Sequence, residues 1–204
     1  MRLLLCGDSF MSDWTVKYPD AQGWTNMLAQ DHVVTNLAQA GAGEYKILQQ
    51  VRKANLAQHD AIIISHGSPN RIYCTEHPMH ANDPLHRYAD LIYADVKEQA
   101  DKIPDADLAS RFYERYFDFD YYRDISNLCC HEILNILGQH PHLNQFHIEN
   151  HQNQHKYDCL PDVLNINYYL KKYPGKICHL SDTGNQLLFE HVSKWLKSIE
   201  QEST

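Results

Sequence analysis

The sequence predicts an α/β protein built in three layers, α/β/α, around a mostly parallel sheet. Two observations carry this. Short apolar runs, RLLLC (2–6), HVVTNLA (32–38), DAIIISHG (60–67) and the weaker QFHIEN (145–150), read as strands, the first of them the pattern of a strand covered on both faces. Between and after them the period becomes that of an amphipathic helix. Ile47, Leu48, Val51 and Ala54 share one face of 44–59, and Leu187, Leu188, Val192, Trp195, Leu196 and Ile199 share one face of the C-terminal segment. Strands alternating with helices imply parallel pairing, with the crossovers lying on the sheet faces.

Each element has its own signals. The first run ends in Gly7-Asp8-Ser9, the second is bounded by Asp31 and the Gly41/Gly43 pair, and the third breaks at Gly67-Ser68-Pro69. Residues 72–124 hold no convincing strand. Leu85, Ala89, Ile92, Val96 and Ile103 sketch a helix there, followed by the aromatic and acidic RFYERYFDFDYYRD (111–124). Ile125, Leu128, Cys129, Ile133, Leu134 and Leu137 suit a further helix, ended by Gly138 and Pro141. Ser181 or Asp182 offers the N-cap of the last helix. The expected organisation is a single domain over 1–204, with a helical insertion at about 72–124.

Composition narrows the class. The 204 residues suffice for one full core, and 43% hydrophobic with 22% charged residues is ordinary for a globular domain. A net charge of −8 argues against nucleic acid or an anionic membrane as partner, since both need clustered Lys and Arg. The six cysteines show no paired metal spacing, and reduced thiols in a cytoplasmic protein are expected. MRLLLC is too short for the core of a signal sequence.

Four stretches carry chemistry. Ser9 follows a strand and would sit at the carboxyl edge of the sheet, where open α/β sheets bind ligands. A serine hydroxyl needs a base and donors for the oxyanion, and the plain alternative is an ordinary turn. In TNLAQAGAGEYKIL (35–48), Gly41 lets backbone N–H groups approach a ligand near a helix start. IIISHGSPNRIY (62–73) presents His66, Ser68, Asn70 and Arg71. There the Asn70 amide could serve an oxyanion, and Arg71 a carboxylate or sugar group. In KICHLSDTGNQLLFEHV (176–192), His179 lies just before the last helix, placed to act as a base on Ser9.

In this order the pieces resemble the SGNH (GDSL-type) hydrolase superfamily. GDSF is similar to its first block, the stretch around Gly41 to its second, SHGSPNR to its third and HLSDTGNQLLFEHVSKWL to the end of its last. The resemblance spans 1–70 and 176–199. It implies a flavodoxin-like fold and ester hydrolysis or acyl transfer without metal or organic cofactor. Ser9 would be the nucleophile and His179 the base, with Ser9, Gly41 and Asn70 forming the oxyanion hole. Asp8, His66 and Arg71 are further candidates for holding substrate. The implied substrate is a small O-acyl ester, with carbohydrate preferred, and a homodimer is a candidate assembly.

Two departures stand out. Asn70 falls one place late in the third block, and Lys176 stands where the last block carries an acid three residues before the histidine. Three explanations remain open. Asp158, Asp162 or Asp182 orients the ring; a backbone carbonyl does, leaving a Ser9–His179 dyad; or the module only binds a glycan or protein. Asp182 reads first as part of a helix cap.

Other clusters have plainer readings. His77, His80, Asp83 and His86, and the group His140, His142, His147, His151 and His155, read as solvated loop histidines, and no metal is expected. The aromatic run 112–122 reads as core or a dimer face before a sugar platform.

Overall fold

The computed structural model describes residues 1–149, 157, 159–160, 163–175 and 179–202. In chain order the elements are β1 (Arg2–Gly7), α1 (Trp24–Asp31), β2 (Val33–Asn36), α2 (Glu44–Lys53) and β3 (Ala61–His66). The middle segment contributes β4 (Arg71–Ile72), β5 (Leu91–Ile92), α3 (Tyr93–Gln99), α4 (Pro104–Tyr116) and α5 (Phe119–Gly138). The chain then forms β6 (Asn144–Glu149), β7 (Leu164–Asn165), α6 (Asn167–Lys172) and α7 (Asp182–Glu202). Single 3₁₀ turns lie at Trp14–Val16 and Leu56–Gln58.

Five strands pair in parallel in the order β2-β1-β3-β6-β7. Among strands of this sheet alone that is the order 2-1-3-4-5, the flavodoxin-like winding, whose direction reverses between β1 and β3. Alternating residues feed two cores. Leu3, Leu5, Ala61 and Ile63 face Trp24 and Leu28 of α1 and Leu188, Val192 and Leu196 of α7. Leu4, Cys6, Ile62 and Ile64 face Ile47, Leu48 and Val51 of α2 and Cys129, Ile133 and Leu137 of α5. The result is the three-layer α/β/α arrangement expected, and both faces of β1 and β3 are buried because both layers are filled.

The middle segment departs from expectation. Leu85, Ala89 and Ile92 do not continue a helix: 73–90 is turn, and Arg71–Ile72 pairs antiparallel with Leu91–Ile92. The aromatic run is divided between α4 and the start of α5, where Asp118 caps by accepting from the N–H groups of Asp120 and Tyr121. Tyr113, Phe117 and Tyr122 stack on one another, while Tyr116 and Tyr121 stay exposed. Among the described residues, no helix is long and apolar enough to cross a membrane.

Candidate functional site

The turn after β1 is held from several sides. A side chain at Gly7 would meet Ser65 at 2.8 Å, so close packing of β1 on β3 requires glycine there. Gln50 of α2 brackets that glycine, accepting from its N–H at 2.7 Å and donating to its carbonyl at 3.1 Å. Asp8 is buried and shapes the turn, accepting from the Phe10 N–H and the Ser65 hydroxyl. Met11 and Ser12 donate their N–H groups back to the Asp8 carbonyl, so residues 8–12 wind one tight turn with Ser9 near its start. Asn36, at the end of β2, donates to the Met11 carbonyl and fixes the far side.

His179 is positioned by an antiparallel bridge between Pro174 and Leu180. Gly175 N–H donates to the His179 carbonyl, and Ser181 N–H donates to the Tyr173 carbonyl. A side chain at Gly175 would run into the Leu180 backbone. Ser181 then starts α7, its hydroxyl accepting from the Gly184 N–H, so the cap is Ser181 rather than Asp182. The His179 ring lies edge-on to Trp14, with ring centres 4.4 Å apart, and 5.1 Å from the ring of Phe10.

Ser9 and His179 line one cleft of about 590 Å³. Its other walls include Phe10, Trp14, Tyr18, Asp182 and Asn185. No hydrogen bond joins Ser9 to His179, or Asp182 to the His179 ring, among the described residues. The peptide N–H groups of Ser9 and Gly41 also donate to no acceptor among the described residues.

Gly41, expected in the oxyanion hole, is buried and outside the cleft walls; it adopts φ 75°, and a Cβ there would sit 2.5 Å from that of Ala89. Its carbonyl accepts from the Asp90 N–H and from Arg71 Nη1. Arg71 therefore braces the glycine loop. Asn70 is exposed and outside the cleft walls, its carbonyl accepting from the Tyr113 hydroxyl. His66 is fully buried, bonded to Glu44 and His147, and also outside the cleft. Asp158, Asp162 and Lys176 lie outside the described residues.

The insertion meets the cleft from one side. Lys17 pairs with Asp83 at 2.6 Å, and Trp14 contacts the ring of His86. Partial burial opposes ionisation of Asp83, but hydrogen bonds from Lys17 and the Leu85 N–H outweigh it and hold the carboxyl well below its usual range. Trp14 and Tyr18, stacked at 6.1 Å, are cleft residues that the sequence reading did not select. The S-D-W following GDSF was the available signal.

Among the described histidines read as solvated, His77 and His147 are not, and His151 and His155 lie outside the described residues. His77 has no exposed surface and stacks on His80, and the pair lies with Asp95 as donors within 4.8 Å of one another. His147 lies in β6 and is buried. Burial first, then the charge of His80 and Lys46, lowers His77 to about 4, and burial lowers His147 to about 3. Both are neutral in the fold, whereas the unfolded chain takes up protons below about pH 6.5. Stability should therefore decline as pH falls from about 6.5 towards 4, by up to about 1.4 kcal/mol per pH unit for each histidine. Urea midpoints across that range check this, and His77→Asn should flatten the decline.

Compared with known proteins, the chain matches no family model and no curated protein sequence.

Proposed function

We propose that the protein is a serine ester hydrolase or acyltransferase of SGNH type, acting on a small O-acyl ester. The observation that carries this reading is the shared cleft. Ser9, at the carboxyl end of β1, and His179, at the entrance to α7, line one cavity, beside the strand pair where the sheet's winding reverses. In this reading Ser9 Oγ attacks the acyl carbonyl while His179 accepts its proton. The open N–H group of Ser9 receives the oxyanion. The departing alcohol takes the proton back from His179, and water or an acceptor hydroxyl then resolves the acyl-enzyme. Trp14 and Tyr18 give the cleft aromatic walls suited to a sugar ring, which favours a carbohydrate ester. Gly41 and Asn70 both fall outside the residues that line the cleft, so the reading rests the oxyanion on the Ser9 N–H. With Asp182 making no bond to the ring, the orienting group for His179 is Asp158, Asp162 or a backbone carbonyl.

A fluorophosphonate probe tests the reading directly. Stoichiometric labelling that maps to Ser9, and is lost in Ser9→Ala, is the expected result. No labelling of the wild type would favour a module that binds a glycan or a partner without turning it over.

A further inference from the structure

A second polar cluster lies behind the end of β3, away from the cleft. Glu44 opens α2, His66 ends β3, Cys130 lies within α5 and Cys159 in the segment before β7. Glu44, His66 and Cys130 are buried, and their donor atoms lie within 4.8 Å of one another. The successive separations are 2.8 Å from Glu44 Oε1 to His66 Nδ1, 3.9 Å from Nδ1 to Cys130 Sγ, and 3.2 Å from there to Cys159 Sγ. Ligands around a tetrahedral zinc stand roughly 3.3–3.8 Å apart, given the usual zinc–ligand bond lengths. Glu44, His66 and Cys130 thus already stand near that spacing, and Cys159 joins the group through Cys130 Sγ, so a small shift of the Cys159 segment would close the cage.

Charge points the same way. Glu44 is 2% exposed, yet among the described residues no Lys or Arg pairs with it. Its remaining partners are the Gly67 N–H and the Tyr157 hydroxyl. Glu149, 5% exposed, bonds the Tyr157 N–H and likewise has no Lys or Arg partner there. Buried carboxylates ordinarily carry a counter-charge. The second nitrogen of His66 faces His147 Nδ1 at 2.9 Å, the outer contact that metal-binding histidines use to fix their tautomer.

We propose that Glu44, His66, Cys130 and Cys159 form a structural site for a thiophilic divalent cation of the zinc class. Binding releases the two thiol protons. The His66 proton moves from Nδ1 to Nε2, from where it donates to His147 Nδ1, whose own proton passes to its far nitrogen. The ion would clamp α2, β3, α5 and the segment around Tyr157 together. The site is independent of the ester-hydrolase reading, since none of its ligands lines the Ser9 cleft.

Elemental analysis of the untagged full chain, purified from zinc-supplemented medium, should find about one zinc per chain. Cobalt(II) replacement should give the intense thiolate charge-transfer band and the visible bands of a tetrahedral site. Cys130→Ser should lose both signals. Cys159→Ser, at a half-buried position, provides the same test if the first variant does not fold. Three results would overturn the proposal. One is wild type that keeps no zinc and gives no cobalt spectrum. Another is an intact mass two hydrogens short, showing a Cys130–Cys159 disulfide. The third is zinc retained unchanged in both variants but lost in His80→Ala, placing the ion at His77, His80 and Asp95.

Discussion

Ser9→Ala and His179→Ala are each expected to reduce hydrolysis of 4-nitrophenyl acetate by on the order of 10⁴-fold or more, and the double variant by little beyond either alone. A nucleophile and its base act as one unit, so removing either removes the covalent route. The thermal midpoint of Ser9→Ala should stay within a degree or two of the wild type, because the Ser9 contact holding the turn is its carbonyl, which accepts from Trp14 Nε1. Steady-state kinetics beside a thermal melt separates the two effects. Turnover unchanged in His179→Ala would dismiss the base, while losses that multiply in the double variant would break the unit apart.

Asp90→Ala should produce the largest loss of stability. This carboxylate is 2% exposed and serves three partners: Lys46 Nζ at 2.9 Å, the Gly43 N–H at 2.8 Å and the Cys74 N–H at 3.1 Å. Removing it strands a largely buried ammonium and two peptide donors, a change that costs about 3–5 kcal/mol. In a chain of this size that corresponds to a fall of roughly 6–20 °C in Tm. Asp90→Asn retains an acceptor and should lose less. Differential scanning calorimetry of both variants checks the order. Wild-type stability in Asp90→Ala would show that Lys46 is served by the Tyr88 carbonyl, to which it also donates.

The sheet was readable because β1 and β3 are covered on both faces, which leaves continuous apolar runs with no competing pattern. The C-terminal helix was readable because Leu188, Val192 and Leu196 recur every fourth residue against one layer. β4, β5 and β7 have two residues each and are too short to carry a period. α4 leaves Leu108 and Tyr116 exposed, so its apolar residues mark no single buried face. At the site, Ser9 and His179 could be picked out because each stands at an element boundary. The roles of Arg71 and His66 could not. Arg71 binds a glycine carbonyl 30 positions earlier, and His66 meets Glu44 and His147 only through the packing of α2 and β6 onto β3. Spacing along the chain carries no trace of such contacts.

The cleft draws one wall from the turn after the first strand and the other from the approach to the final helix. The two walls are far apart along the chain and meet only when α7 packs with α1 against the sheet. A molecule in which α7 came away from the sheet would thus hold Ser9 without a cavity around it. Opening of the seam between α7 and the sheet would erase the cleft while leaving in place the β1 turn, which Gln50, Asn36 and Ser65 hold.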